Sequence, residues 1–135
     1  MHEASITQAM LDMALEHAQG QRITDIYLQV GQMSLVVPEC VEFYFEFLSK
    51  GTMAEGAKLH FEIVPIEITC PDCGRQADLS DWAEDPPRTI MVEALARGCQ
   101  CGSNNLRVTG GTDFNMVSLE VEVHEARGRR KKQIL

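Results

Sequence analysis

The chain lacks the segments that carry a protein to or through a membrane. No run approaches the roughly 20 apolar residues that a membrane-spanning helix needs, and residues 1–5 have neither the basic start nor the apolar run of a secretory signal. We therefore expect a cytoplasmic protein that makes no membrane contact. Its 135 residues suit one domain, or a small domain that carries an inserted module.

The sequence also lacks the residue groupings of common catalytic centres. It shows no Ser/His/Asp arrangement for nucleophilic catalysis, no glycine-rich phosphate loop and no carboxylate pair in apolar surroundings. We therefore predict that the protein is not an enzyme.

Basic residues are scarce outside the C-terminal tail. Five of the twelve Lys and Arg residues lie at 127–135, which leaves seven basic against twenty acidic residues in the rest of the chain. Phosphate contacts need clustered cations, so the excess of acidic residues outside the tail argues against a nucleic-acid partner. We expect the tail to be solvated and disordered; the alternative is an arm that docks on an acidic partner.

Two close pairs of cysteines are the clearest signal that the sequence does contain. Cys70 and Cys73 flank Pro-Asp, Cys99 and Cys101 flank a single Gln, and a glycine follows each pair. Such turns aim two sulfurs at one ion, and cytoplasmic thiols favour metal binding over structural disulfides. We predict one structural zinc ion shared by all four sulfurs. The alternative is a redox role, in which both pairs cycle between thiol and disulfide.

A histidine stands at the second position of the chain. The Met1 amine, the His2 backbone amide and the His2 imidazole can meet one ion through small chelate rings, and Glu3 can supply a fourth donor. Planar nitrogen donors suit Ni(II) or Cu(II) better than zinc. The spacing alone leaves open whether this is a metal site or an exposed, frayed terminus. His60 and His124, on the polar sides of two strands, are a weaker candidate pair for a second metal.

Hydrophobic periodicity predicts an α+β fold. Helical spacing runs through residues 4–18 and again from Pro38, where the apolar stripe is broadened by Phe43 and Phe47. Alternating apolar residues predict three strands, at 26–30, 59–63 and 117–123. The prediction is a small sheet of about three strands packed by two helices, with an inserted four-cysteine zinc module.

These signals divide the chain into expected domains. A discontinuous α+β domain takes residues 1–67 and 108–126, a zinc-binding module takes residues 68–107, and the basic tail takes residues 127–135.

Several short motifs follow one another in a recognisable order. They are the Met-His-Glu start, Gly31-Gln32-Met33-Ser34, Pro38-Glu39, Glu55-Gly56-Ala57, the Cys-Pro-x-Cys module and Ser118-Leu119-Glu120. In this order they resemble the HypA/HybF nickel metallochaperones, which serve the maturation of NiFe hydrogenase. The resemblance extends from the start to about Glu125. The Cys99-Gln100-Cys101 pair and the basic tail depart from the family pattern.

The resemblance implies a nickel-binding domain in which His2 is the essential Ni(II) ligand, with Glu3 and the Met1 amine beside it. It also implies a structural Zn(II) ion held by Cys70, Cys73, Cys99 and Cys101.

The resemblance further implies two protein partners, a HypB-like nickel GTPase of the same pathway and the hydrogenase large-subunit precursor. We expect a monomer or a weak homodimer. The alternative reading is a zinc-ribbon adaptor that binds a nucleic acid or an acidic protein through its basic tail.

Overall fold

The computed structural model describes residues 2–135, apart from the side chain of His2. Its helices and strands confirm the predicted α+β class. In chain order they are α1 (His2–Ala18), β1 (Ile23–Gly31), α2 (Pro38–Leu48), β2 (Lys58–Val64), β3 (Glu67–Thr69), a short 3-10 helix (Ser80–Trp82), α3 (Pro87–Arg97), β4 (Arg107–Gly110), β5 (Phe114–Glu125) and β6 (Gly128–Ile134). None of the helices in residues 2–135 has the length and apolar character that a membrane crossing requires.

The strands form two sheets. The larger has the strand order β2-β1-β5-β6, and β3 pairs antiparallel with β4 in the smaller. The larger sheet has one strand more than the sequence predicts, because the tail contributes β6.

Contacts between residues divide the chain into two compact units. The first combines the residues up to Gln29 with Val36–Glu62 and Phe114–Leu135, and the second combines Val30–Leu35 with Ile63–Asp113. The second unit holds all four paired cysteines and is wider than the module predicted at 68–107.

The first unit has a continuous apolar core that fixes both of its helices. The buried members come from α1, β1, α2 and β5, and include Met10, Leu11, Ala14, Ile26, Leu28, Val41, Phe45, Leu119 and Val121. Burying one such side chain stabilises the fold by about 1.5–3 kcal/mol relative to leaving it exposed. The core therefore anchors α1, whose first turn carries His2 and Glu3.

Only part of the apolar surface of α2 enters this core. Val41 and Phe45 are buried, whereas Phe43 and Phe47 are each 69% exposed. The apolar stripe predicted to include both phenylalanines is wrong on this point. With about 3.6 residues per turn, Phe43 and Phe47 lie on the side of the helix opposite Phe45, so one core cannot cover all three.

The second unit is built on a smaller core and on a close approach of two backbones. Ile66, Ile68, Ile90 and Ala94 are its buried apolar residues. A Cβ atom at Gly31 would lie 2.5 Å from the backbone of Gly111, so only glycine fits where these segments meet.

The Gly-Gln-Met motif after β1 contributes hydrogen bonds to the same unit. Met33 N–H donates to the Gly111 carbonyl at 2.7 Å, and the Gln32 side chain accepts from Ile66 N–H at 3.0 Å. The motif therefore helps to position the strand that leads to the first cysteine pair.

The basic tail is an ordered strand, which corrects the expectation of disorder at 127–135. Strand β6 pairs antiparallel with β5, in a register that runs from Leu119 opposite Ile134 to Glu125 opposite Gly128. Its cations pair across the sheet: Lys131 with Asp25, Arg129 with Glu122 and Arg130 with Glu125. Backbone pairing and opposite charges hold such a strand without apolar alternation, which is why its pattern resembles a solvated charge run.

Asp25 is the one acidic side chain that is buried among the described residues. Its carboxylate lies 2.9 Å from His60 Nε2 and accepts a hydrogen bond of 2.8 Å from Lys131 Nζ. Burial acts to raise the pKa of Asp25, but hydrogen bonds from His60, Lys131 and Thr24 and the positive charge of Lys131 outweigh it and lower the pKa to about 2. The carboxylate is therefore ionised at neutral pH and ties β1 to β2 and β6.

We predict that Lys131→Met destabilises the protein by about 1–3 kcal/mol at neutral pH, because a buried carboxylate loses a charged donor. The matched control is Lys132→Met, which removes the same charge from a side chain without an ion pair among the described residues. This control should change the free energy of unfolding by less than about 0.5 kcal/mol. Chemical denaturation of both variants measures the difference.

The loss of stability caused by Lys131→Met should depend on pH. The folded pKa of Asp25, about 2, lies below its unfolded value of about 3.9. The stability that this carboxylate adds is therefore complete above about pH 4 and is lost as the pH falls toward 2. Equal destabilisation at both ends of this range would show that Lys131 does not act through Asp25.

Candidate metal centre

The four paired cysteines converge on one point in the second unit. Their sulfur atoms all lie within 4.8 Å of one another, with Cys70 Sγ 3.7 Å from Cys101 Sγ and Cys73 Sγ 3.6 Å from Cys99 Sγ. A tetrahedral ion with sulfur ligands at about 2.3 Å would separate each pair of sulfurs by about 3.8 Å. The arrangement thus fits a single tetrahedral metal ion with no open coordination position.

Two turns of similar design present these sulfurs. In the first, Gly74 N–H donates to the Cys70 carbonyl and Cys70 N–H to the Arg75 carbonyl. In the second, Gly102 N–H donates to the Cys99 carbonyl and Cys99 N–H to the Ser103 carbonyl. The second turn is one residue shorter but closes in the same way.

Both turns depend on the glycine that follows the second cysteine. Gly74 has φ +77° and Gly102 has φ +94°, a backbone conformation that favours glycine. The Cys-x-Cys pair, although its spacing is unusual, therefore forms a closed turn that presents two of the four sulfurs.

Asp72 joins the two turns to each other. Its carboxylate accepts hydrogen bonds from Ser103 Oγ at 2.5 Å and from Asn105 Nδ2 at 3.1 Å, and Ser103 Oγ accepts from Asn105 N–H at 3.0 Å. The bonds from Ser103 and Asn105 hold the pKa of Asp72 below its usual value. Sequence analysis did not single out this residue. The only available signal was an acidic side chain between the cysteines of the first pair.

The thiols affect one another strongly. The backbone N–H of Cys73 is the main cause that lowers the pKa of Cys70 to about 7. For Cys101, the Ser103 N–H acts to lower the pKa, but the neighbouring thiols and burial outweigh it and raise the pKa to about 12. Four negative sulfurs cannot share this volume by themselves, so a cation is needed to keep them all deprotonated.

The predicted nickel ligands lie at the start of the first unit. Met1 is outside the described residues, and of His2 the structure describes only the backbone, as the first residue of α1. Glu3 lies in the first turn, where its carbonyl accepts a 2.5 Å hydrogen bond from the buried Thr7 hydroxyl. The coordination predicted for these three residues therefore stays a prediction.

The remaining histidines do not form a second cluster. His60 stacks on the Tyr27 ring with 4.4 Å between centroids and lies against Asp25, while His124 pairs in register with Arg129. Among the side chains that the structure describes, the four cysteines are the only group of three or more metal-ligating residues. The weaker prediction of a site between His60 and His124 gains no support.

Comparison with known proteins gives one consistent family. The family model described as hydrogenase/urease nickel incorporation, metallochaperone, HypA matches residues 1–121. The hydrogenase maturation factor HypA of Geobacter sp. (strain M21) is 38% identical over 122 residues, which cover 90% of this chain and all of the relative. The hydrogenase maturation factor HybF of Klebsiella pneumoniae is 33% identical over 127 residues, with the same coverage.

Two solved structures share the fold. One is the solution structure of a HypA protein, with a TM-score of 0.64, 23% identity and coverage of 90% of this chain and 96% of that chain. The other is the Ni metallochaperone HypA from Helicobacter pylori, with a TM-score of 0.58, 20% identity and coverage of 88% and 96%. Strand β6 lies beyond the residues that the family model matches. The chain belongs to the HypA family of nickel-incorporation metallochaperones that act in hydrogenase maturation.

Proposed function

We propose that this protein binds Ni(II) at its N-terminus and delivers it during maturation of NiFe hydrogenase, while its four cysteines hold a structural zinc ion. One observation carries the proposal: the region that matches the family contains both a histidine at the first residue of α1 and the four-sulfur cluster. The protein then acts by transfer and not as an enzyme.

The backbone at the start of α1 supports the nickel site. The first N–H groups of a helix have no carbonyl partner within it, so a deprotonated His2 amide can serve as a ligand without breaking a helical hydrogen bond. Together with the Met1 amine and the His2 imidazole it would give three nitrogen donors, the kind that Ni(II) prefers. Glu3 would supply the fourth donor.

The attachment of α1 supports transfer. The hydrogen bond from Thr7 to the Glu3 carbonyl and the burial of Met10 and Leu11 secure the helix from its first turn onward. The proposed ligands belong to residues 1–3, ahead of the first buried residue of the helix, Thr7. A site on a chain terminus can exchange its ion with a partner, whereas an enclosed cage would release it slowly.

The chemistry of the cysteine cluster supports zinc as the resident ion. Four thiolates in a closed tetrahedron are typical of structural zinc sites, which stabilise small folds and leave no position for a substrate. Cys70, Cys73, Cys99 and Cys101 would hold the ion and thereby link the strands before and after α3.

Delivery requires proteins that give or receive the ion. We propose the nickel GTPase of the same pathway and the hydrogenase large-subunit precursor as these partners, and the cytoplasm as the compartment.

The structure weakens the main argument for the adaptor alternative. Three of the five tail cations already pair with carboxylates of the chain itself, so the tail is not a free cationic arm. Salt-sensitive binding of RNA or DNA that disappears on deleting residues 127–135 would nevertheless restore that alternative.

X-ray absorption on the zinc- and nickel-loaded protein tests the ligands proposed for both ions. We expect zinc with four sulfur ligands at about 2.3 Å and nickel with nitrogen and oxygen ligands only. Nickel bound through sulfur would contradict it.

We predict that Asp72→Ala lowers zinc affinity by about tenfold, the lower end of the effect of residues that orient metal ligands. The two turns would lose their side-chain link while keeping all four sulfurs. Competition with a zinc chelator measures the change. Glu93→Ala is the matched control, because it removes an exposed carboxylate from α3 without touching either turn. Equal zinc affinity in both variants would contradict the role given to Asp72.

We predict that His2→Ala weakens nickel binding by at least about tenfold, or 1.4 kcal/mol, and leaves zinc content unchanged. His17→Ala is the matched control, since it removes an exposed imidazole from the same helix. Free imidazole has a pKa of about 6.5, and protonation blocks its metal-binding nitrogen. The nickel affinity of the parent should therefore also fall on mild acidification. A titration in which His2→Ala matches the parent would exclude this residue as a ligand.

We predict that extending the N-terminus by Gly-Ser weakens nickel binding, because the extension moves the terminal amine away from His2. The same two residues added after Leu135 are the control and should have no effect. Full affinity in the extended protein would show that the amine is not a ligand.

A further inference from the structure

Two aromatic side chains on α2 lie uncovered in the first unit. Phe43 and Phe47 are each 69% exposed, and their spacing of four residues places them side by side on one face. The Tyr44 ring meets Phe43 edge-on with 5.4 Å between centroids, which limits the positions of the Phe43 ring. Single exposed apolar residues are common, but two adjacent phenylalanines form a contiguous apolar patch, a feature that in larger form marks interaction sites.

A row of carboxylates runs beside these rings. Glu39, Glu42 and Glu46 are exposed and follow one another at helical spacing along α2. None of the three forms an ion pair with a described residue. Helix α2 therefore presents two parallel stripes, one aromatic and one acidic, and no residue that the structure describes forms an ion pair with the acidic one.

The acidic stripe also borders a groove. Glu42 and Glu46 line a cavity of about 540 Å³, together with Glu55, Lys50 and Lys58. A partner that lies along α2 could therefore place cationic side chains beside Glu42 and Glu46 while its apolar side chains cover the phenylalanines.

We propose that the exposed face of α2, defined by Glu39, Glu42, Phe43, Glu46 and Phe47, docks an amphipathic helix of a partner protein that carries a row of Lys or Arg beside a row of apolar side chains. Opposite charge selects this occupant and suppresses others. A second copy of the same face is disfavoured, because a twofold contact would bring two rows of glutamates together.

This inference deepens the proposed function, because α2 shares its core with α1, the helix that carries the proposed nickel ligands. A partner held on α2 would be bound to the unit from which the ion is to be transferred. The docking surface itself contains no proposed nickel ligand, so docking and nickel binding can be tested separately.

The test is a nickel-free titration of the isotope-labelled, zinc-loaded full chain, followed by NMR. The probe is a synthetic helical peptide of 18 residues with adjacent Leu and Lys stripes, and the comparison peptide has Glu in place of every Lys. We expect the Lys peptide to shift the amide signals of residues 39–47 and to bind more weakly as salt rises. The Glu peptide should not bind.

Variants of the chain separate the two stripes. Phe43→Ser combined with Phe47→Ser should weaken binding of the Lys peptide by at least about tenfold, as expected for central apolar anchors. Replacing Glu39, Glu42 and Glu46 by Gln should weaken binding and remove most of its salt dependence. Val92→Ser is the matched control, since Val92 is an exposed apolar residue on a helix of the other unit and is 58% exposed.

Three results would overturn the proposal. The first is undiminished binding to the double phenylalanine variant when its thermal unfolding matches that of the parent. The second is equal binding of the Glu peptide. The third is self-association of the parent, seen by sedimentation and abolished by the double variant, which would assign the face to a second copy. Loss of nickel binding in His2→Ala leaves this titration unaffected, so each hypothesis can fail alone.

Discussion

The crowding of four sulfur atoms within 4.8 Å is the constraint on which the second unit depends. Without a cation, the pKa of the thiols spreads from about 7 to about 12, so the fully deprotonated set is unstable. The apolar core of the unit has only four buried members, so an ion bound by the four sulfurs would contribute its binding free energy directly to folding. The two cysteine turns are small and far apart in the sequence, so the link through Asp72 also helps to hold them together.

The two proposed metal sites impose opposite demands on the chain. A structural ion needs every coordination position closed and its ligands fixed by turns, as the cysteine cluster provides. A transferred ion needs ligands that a second protein can approach and replace. The first unit buries the body of α1 in its core, and the proposed nickel ligands are the residues at the start of this helix.

Sequence patterns predicted the fold correctly where a pattern has a single physical explanation. Paired cysteines with trailing glycines predicted the cluster, and alternation predicted β1 because Ile26 and Leu28 face a single core. The patterns failed where one amino-acid composition is compatible with several structures. The apolar residues of α2 occupy most sides of the helix. Periodicity alone therefore could not show that Phe45 is buried and Phe47 is exposed. The charged tail was misjudged because β6 is held by backbone pairing with β5, which needs no apolar pattern, and by the contact of Lys131 with Asp25, 106 positions away in the sequence.

The ordered tail also explains how charge is distributed over the first unit. The body of the chain is strongly acidic, and half of the eight basic residues of the first unit lie in β6. Strand β6 directs three of these cations to Asp25, Glu122 and Glu125, all on β1 and β5. The glutamates of α2 receive none of this compensation. The proposed docking face on α2 therefore keeps the charge of its carboxylates, which would attract a cationic partner.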